Sequence, residues 1–126
     1  MMEPIEVVER LYRAFAARDF DGILRLMSPD VVIEQDPALP WGGRHEGHEG
    51  LQRFVLALLA SIDSQVTVHE LFAAGDRVVQ YGRTAGTARE TGNEFDIPEC
   101  HVWTVADGQV VRGEYFIDSA AMLAVL

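Results

Sequence analysis

The stretch FDIPECHVWTVADGQVVRGEYFI, residues 95–117, predicts a β-hairpin and, with it, the fold class. Two runs rich in β-branched and aromatic residues flank Asp107-Gly108, a dipeptide typical of two-residue hairpin turns. Such a turn fixes the register of the two strands, because each step away from it pairs the next residue on either side. The side chains that face one another across the hairpin can therefore be predicted by counting.

The predicted register brings four chemically distinctive side chains onto one face of the hairpin. His101 lies opposite Glu114, and Trp103 lies opposite Arg112, at distances where opposed side chains interact. The same face carries the apolar residues Phe95, Ile97 and Phe116. We expect this face to point inward because it holds the larger aromatic residues. Pro98 leaves open a one-residue shift of register, which would exchange the two faces.

Working outward from the hairpin, the rest of the chain alternates between helical and strand patterns. Apolar spacing predicts helices over 4–17, over a short segment after Asp19 or Asp21, and from about Glu49. Strands are predicted at 31–33, 66–74 and 77–87, the last two flanking the turn Gly75-Asp76, with a loop over 34–50 and a tail that is a strand end or a last helical turn. This order predicts a single α+β domain, residues 1–126, with an antiparallel sheet covered on one face by helices.

Composition narrows the classes of partner. The chain has 20 acidic and 10 basic residues, a net charge of −10, so we expect neither nucleic acid nor an anionic membrane surface as a partner. Cys100 is the only cysteine, which excludes an intrachain disulfide and disfavours structural zinc. No cofactor-binding glycine motif is present, so no cofactor is predicted. The N-terminus has no apolar leader, and we expect a cytoplasmic location.

Three segments resemble the SnoaL-like branch of the nuclear transport factor 2-like superfamily, which includes polyketide cyclases and relatives of ketosteroid isomerase. They are VVERLYRAFAARDFDGILRLMSPDVV (7–32), PWGGRHEGHEGLQRF (40–54) and FDIPECHVWTVADGQVVRGEYFID (95–118). The resemblance implies a cone-shaped curved sheet wrapped by N-terminal helices around an apolar cavity. It also implies a small hydrophobic ligand and a homodimer formed through the outer face of the sheet.

The resemblance also indicates where catalytic groups would lie. Cyclases of this type pair a histidine and an aspartate on the last two strands, where this chain has His101 and Glu114. Steroid isomerases carry their general base near the end of the first strand, where either Gln35 or Asp36 falls. Because the remaining isomerase residues have no clear counterparts, classical ketosteroid isomerase activity is not expected. Epoxide hydrolases of the superfamily match less well still.

Two functional hypotheses follow. In the first, the chain is a cofactor-independent cyclase, isomerase or hydrolase that performs acid–base chemistry on a hydrophobic substrate. Its predicted catalytic residues are His101, Glu114 and Asp36, its predicted ligand-binding residues are Tyr12, Phe15, Trp41, Phe54, Trp103, Arg112 and Phe116, and no metal site is predicted. In the second, the same cavity carries a hydrophobic ligand without catalysis, or the domain is a dimeric partner. The His–Glu pair would then be only structural.

Overall fold

The computed structural model of the chain describes residues 2–126, which form four helices and a six-stranded sheet. The helices are α1 (Pro4–Ala16), α2 (Phe20–Leu26), α3 (Gly47–Ser61) and α4 (Ser119–Val125). The strands are β1 (Met27–Gln35), β2 (Gly43–Glu46), β3 (Ile62–Ala74), β4 (Arg77–Ala88), β5 (Glu94–Ala106) and β6 (Gln109–Ile117). No helix within these residues is long and apolar enough to cross a lipid bilayer.

The strands form one curved, open sheet in the order β2-β1-β6-β5-β4-β3. The α+β class, a curved sheet with helices packed on it, is confirmed. The sheet is mixed rather than wholly antiparallel, because β1 runs parallel to β6. These two strands are separated by most of the chain, and such a long connection allows the second to return in the same direction as the first.

Both predicted hairpin turns are confirmed. Gly75-Asp76 joins β3 to β4, and Asp107-Gly108 joins β5 to β6. Asp107 and Gly108 have φ angles of 53° and 76°, the left-handed pair that a type I′ turn requires. The segment 34–50 is not entirely a loop as predicted, since Gly43–Glu46 pairs with β1 despite its glycine-rich surroundings.

The hairpin register is as predicted only next to the turn. Val105 faces Val110, but the next pair is Thr104 with Arg112, which leaves Val111 as an extra residue in a β-bulge. The shift therefore arises at Val111 and not at Pro98, where pairing with β4 is continuous. Because side chains alternate between faces, one extra residue moves every later side chain of β6 to the opposite face.

The bulge overturns both predicted cross-strand pairs. His101 faces Tyr115 rather than Glu114, and Trp103 faces Gly113 rather than Arg112. The prediction that the His101 face of β5 points inward is confirmed, because Phe95, Ile97 and Trp103 are all buried. On β6, however, the inward residues are Gly113 and Tyr115, whereas Arg112, Glu114 and Phe116 belong to the outer face, where Phe116 is 53% exposed.

The core lies between the inward face of the sheet and helices α1 and α3. Its largest fully buried side chains are Trp41, Trp103, Phe54, Leu11, Ile23, Met27, Ile33 and Leu51. Helix α1 begins with Pro4 in its first turn, which has no amide proton to leave unpaired, and buries Val7, Val8 and Leu11 on one side. Tyr12, one position further round the helix, is directed toward β5.

Gly113 makes room for the indole of Trp103. A β-carbon built at this position would lie 2.7 Å from Cζ3 of Trp103 and 3.0 Å from Cδ1 of Ile33, closer than side chains normally approach. The absence of a side chain at Gly113 thus lets the largest residue of β5 lie flat over β6. This arrangement sets the position of the indole nitrogen.

We expect Gly113→Ala to lower the free energy of unfolding by about 1–3 kcal/mol, the usual cost of overpacking a core. Urea denaturation measures the change. In a Trp103→Phe background the smaller ring leaves space, so the same substitution should cost clearly less. Equal costs in the two backgrounds would contradict the assigned contact.

Candidate functional site

A cavity of about 510 Å³ lies between the inward face of the sheet and helices α1 and α3. Its walls are mostly apolar and aromatic, as is typical of small-molecule sites. The side chains that form the main walls are Tyr12, Phe15, Gln35, Trp41, Phe54, Val55, Leu58, Leu59, Val66, Val68, Thr84, Glu99, His101, Trp103, Tyr115 and Met122. We call Tyr12, Glu99, His101 and Tyr115 in its wall, together with Gln80 behind them, the polar cluster.

The first contact of the polar cluster joins helix α1 to strand β5. The indole Nε1–H of Trp103 donates to the hydroxyl oxygen of Tyr12 at 2.9 Å, and that hydroxyl lies 2.7 Å from Nδ1 of His101. Nδ1 also lies 3.3 Å from the amide nitrogen of Gln80, which can only donate. With two donors around it, Nδ1 is the unprotonated nitrogen, so the neutral ring carries its proton on Nε2.

Glu99 is the only carboxylate in the cavity wall, and its side chain is fully buried. Its Oε1 accepts a hydrogen bond of 2.7 Å from Nε2 of Gln80. Its Oε2 lies 2.8 Å from Nε2 of His101, an ion pair whenever the imidazole is protonated. Oε1 of Gln80 and Oε2 of Glu99 are both buried without a hydrogen-bond donor.

Tyr115 completes the polar cluster from strand β6. Its ring packs against that of His101, with the centroids 4.4 Å apart. Burial raises the pKa of Tyr115 well above its ordinary value, and the nearby Tyr12 and Glu99 raise it further. Burial likewise raises the pKa of Tyr12, against the smaller opposing effect of the hydrogen bonds from Trp103 and Gln80. Both phenols therefore stay neutral proton donors at physiological pH.

The structure distinguishes the two residues considered for the base position on the first strand. Gln35 lines the cavity, and its side-chain oxygen accepts a hydrogen bond of 2.9 Å from the indole of Trp41. Asp36 is exposed and lies outside the cavity, where it accepts a hydrogen bond from the backbone N–H of Ala38. This bond, the main cause, lowers the pKa of Asp36. Asp36 is thus a turn residue, and an amide occupies the position nearest the cavity.

The other predicted site residues divide into two groups. His101 and the predicted ligand-binding residues Tyr12, Phe15, Trp41, Phe54 and Trp103 all line the cavity. Glu114, Arg112 and Phe116 do not, because the bulge at Val111 turns them to the outer face. There Arg112 forms ion pairs with Glu34 and Glu114 at the surface.

Sequence reasoning missed three members of the polar cluster. Glu99 lies two residues before His101, and strand alternation alone predicts that both share a face. Gln80 shares the inward face of β4 with the buried Val78 and lies directly opposite His101 on β5. Tyr115 could be placed only by knowing of the bulge.

The polar cluster can both give and take a proton. Nε2 of His101 lies 2.8 Å from the Glu99 carboxylate, and two neutral phenols lie beside them. A proton acceptor and several donors around one point of an otherwise apolar cavity suit general acid–base chemistry. Within residues 2–126, no group of three or more histidine, cysteine or acidic residues is placed to hold a metal ion.

Comparison with known proteins identifies relatives across almost the whole chain. A sequence profile of the SnoaL-like domain matches residues 8–113. No curated protein matches the sequence. Among solved structures, a nuclear transport factor 2-like protein of unknown function from Burkholderia pseudomallei is 27% identical, with a TM-score of 0.91 and coverage of 99% of this chain and 98% of that one.

Two further solved structures are of proteins described by a bound small molecule or by a type of activity. TerC, co-crystallised with polyporic acid, is 29% identical, with a TM-score of 0.88 and coverage of 98% of both chains. A SnoaL-like polyketide cyclase, so named provisionally, from Jannaschia sp. is 26% identical, with a TM-score of 0.86 and coverage of 97% of this chain and 90% of that one. The whole chain thus shares the architecture of these proteins.

The raised pKa values of Tyr12 and Tyr115 predict a loss of stability in alkali. Unfolded tyrosines ionise near pH 10, whereas these two stay neutral in the folded protein. Raising the pH above 10 therefore stabilises only the unfolded state, and the free energy of unfolding falls. Each buried tyrosine should lower the free energy of unfolding by at most about 1.4 kcal/mol for each pH unit in this range. Urea denaturation between pH 8 and 11.5 measures it.

Replacing one buried phenol should weaken this pH dependence. Tyr115→Phe removes a group that ionises only on unfolding, so its unfolding free energy should fall less steeply above pH 10. Tyr81, which is 46% exposed on the outer face, provides the control Tyr81→Phe. If Tyr115→Phe and Tyr81→Phe follow the same curve as the unmodified chain, Tyr115 is not held neutral by burial.

Proposed function

Because the chain belongs to the SnoaL-like domain family, we propose that it binds a small hydrophobic molecule in the cavity and acts on it as a cofactor-independent acid–base catalyst. The observation that carries this proposal is the contact between His101 and the fully buried Glu99 at the deep end of an apolar cavity. Glu99 thus replaces Glu114 and Asp36 as the acidic partner of His101. The co-crystallisation of the relative TerC with polyporic acid supports a small-molecule occupant.

The geometry supports a proton-transfer reaction on a carbonyl compound or its enol. The His101–Glu99 pair accepts a proton from the substrate, with His101 as the member that the cavity exposes, and the electron pair left behind moves toward the carbonyl oxygen or into a new carbon–carbon bond. The hydroxyl of Tyr115 donates to the oxygen on which negative charge develops. Tyr12 holds His101 in the required tautomer and is a positioning residue. Isomerisation, hydration and aldol-type ring closure all use such steps.

Ketosteroid isomerase activity is not proposed, because the first-strand position of its base is occupied by Gln35. The alternative function is binding without catalysis, in which the same polar cluster only orients a ligand. It predicts that the cavity is occupied with no proton transfer. The cytoplasmic location and the absence of nucleic-acid and membrane partners stay predictions from composition.

Exchange of α-protons for deuterium tests the proposed chemistry without knowledge of the natural substrate. We expect the protein to accelerate exchange in 2-tetralone, an apolar ketone small enough for the cavity, as followed by proton NMR in D₂O. Glu99→Gln should reduce the accelerated rate by about 10²–10⁴-fold, the usual contribution of a positioned base. The matched control is Glu114→Gln on the outer face, which should keep at least half of the rate.

Two results would count against catalysis. If Glu114→Gln abolishes the exchange and Glu99→Gln does not, the base lies on the outer face of the sheet and the proposed site is wrong. Saturable binding of 2-tetralone with no acceleration would favour the carrier alternative. Thermal unfolding of each variant separates loss of fold from loss of chemistry.

We also propose that a second copy of this chain covers the outer face of the sheet. Tyr81, Cys100 and Phe116 form one cross-strand row there, and Phe72 and Val79 lie in the next. Phe72, Tyr81 and Phe116 are each about half exposed, an unusual clustering of large apolar side chains on a surface. Arginine and glutamate side chains flank this patch, so two copies related by a twofold axis can match opposite charges.

Sedimentation velocity at micromolar concentration tests the dimer. Phe116→Glu places a charge in the centre of the patch and should convert a dimer to a monomer. Leu56→Glu, at a site on α3 that is 68% exposed and away from the sheet, should leave the dimer intact. A monomeric unmodified chain, or dissociation by Leu56→Glu alone, would contradict an interface through the sheet.

A further inference from the structure

Gln80 is a fully buried amide that lies behind the proposed catalytic pair. It stands on β4 directly opposite His101 and does not contribute to the cavity wall. Its side-chain oxygen Oε1 has no hydrogen-bond donor among the described residues, which is rare for a buried polar atom. An apolar side chain of the same length would avoid this unpaired oxygen, so the reason for an amide here must lie in its N–H₂ group.

The surroundings of Gln80 direct its amide toward the carboxylate of Glu99. A β-carbon built at Gly82, two residues further along the same face of β4, would lie 2.6 Å from Oε1 of Gln80. Gly82 is itself the partner of Glu99 on the neighbouring strand. The missing side chain at Gly82 therefore leaves the space that the amide occupies beside Glu99.

The amide nitrogen of Gln80 contacts both members of the pair. Nε2 donates to Oε1 of Glu99 at 2.7 Å and lies 3.3 Å from Nδ1 of His101. The reverse orientation of the amide would bring its oxygen to the same distance from the carboxylate, where two acceptors repel. A primary amide has two N–H bonds and can direct one to each atom. One uncharged group thus touches both the carboxylate and the imidazole.

Gln80 and Tyr12 differ in what they allow at Nδ1 of His101. A tyrosine hydroxyl can donate to an unprotonated ring nitrogen or accept from a protonated one, whereas an amide N–H₂ only donates. The contact with Tyr12 is therefore compatible with either state of Nδ1. The contact with Gln80 is compatible only with an Nδ1 that carries no proton.

Glu99 acts on the ring in the opposite sense. Its Oε2 lies 2.8 Å from Nε2 of His101, and within the part of the chain that the structure describes it is the only acidic group at ion-pair distance from the ring. A buried carboxylate at this distance favours an imidazole that is protonated on both nitrogens. Such an imidazolium has no lone pair with which to accept a proton from a substrate.

We propose that Gln80 is a positioning residue that keeps the proposed catalytic histidine able to accept a proton. It directs one N–H to Nδ1 of His101, which keeps this nitrogen unprotonated, and the other to Oε1 of Glu99, which offsets part of the buried charge. The neutral ring then holds its single proton on Nε2, beside the carboxylate. This inference rests on the proposed acid–base function and assigns no substrate contact to Gln80.

Nitrogen-15 NMR of the histidine rings tests the proposal without a substrate, because the shift of each ring nitrogen reports whether it carries a proton. The signals of His101 are assigned by their loss in His101→Asn. At pH 8 we expect the unmodified chain to show a protonated Nε2 and an unprotonated Nδ1. Gln80→Met keeps the length of the side chain without its donor, so Nδ1 should become protonated in most molecules.

Two further variants sharpen the measurement. Gln80→Glu keeps the shape of the side chain but replaces the donor with an acceptor, so Nδ1 should be protonated more completely than in Gln80→Met. The matched control is Gln52→Met on the exposed side of α3, which should keep the ring state of the unmodified chain.

The exchange of α-protons in 2-tetralone connects the ring state to the proposed chemistry. Gln80→Met should lower the accelerated rate at pH 8 by about 10²-fold, the usual effect of a misplaced catalytic group. Gln52→Met should keep at least half of the rate. Urea denaturation of both variants shows whether a lost rate reflects a lost fold.

The possible outcomes separate this inference from the proposed function. A proton on Nδ1 in the unmodified chain would overturn the role of Gln80, whether or not the variants fold. An Nδ1 that stays unprotonated in folded Gln80→Met and Gln80→Glu would overturn it as well. If the ring states are as expected but the unmodified chain accelerates no exchange, the control of the histidine by Gln80 is supported and the proposed catalysis fails.

Discussion

A single extra residue in strand β6 determines which side chains the cavity contains. Val111 interrupts the alternation of inward and outward positions. The residues of β6 that follow it therefore face the side opposite to the one that the turn alone would give them. As a result Tyr115 is buried beside His101, and Glu114 is solvated on the opposite face. Gly113, which shares the inward face with Tyr115, admits the indole of Trp103. The geometry of the polar cluster depends on this one irregularity.

The buried carboxylate imposes a second constraint. Removing a charge from water is costly unless other groups compensate, and a low-dielectric interior makes each compensating contact stronger. Glu99 has a hydrogen bond from Gln80 and an electrostatic contact with His101, but not a complete set of donors. Oε1 of Gln80 is likewise buried without a donor, so this polar region costs stability within an otherwise apolar core.

Local patterns were sufficient to predict most of the fold from the sequence. Turn dipeptides gave both hairpins, helical spacing gave α1 and α3, and the large aromatic residues indicated the inward face of β5. The parallel pairing of β1 with β6 depends on contacts between distant parts of the chain, which no local pattern encodes. The bulge is equally invisible in the sequence, because nothing distinguishes Val111 from the preceding Val110. The position of Glu99 could have been predicted, since residues two apart on a strand share a face and His101 was expected on the inward face.

The contact between Tyr12 and His101 has a consequence for the order in which the site is completed. Tyr12 belongs to the first helix and His101 to the fifth strand, 89 positions along the chain. The shorter of the two contacts at Nδ1 of His101 therefore exists only while α1 is docked on the sheet, whereas the contact with Gln80 belongs to the sheet itself. Local opening of this helix would remove the Tyr12 contact from His101 while the pairing of β5 with its neighbouring strands remains. The docking of the N-terminal helix thus controls one contact of the proposed catalytic histidine.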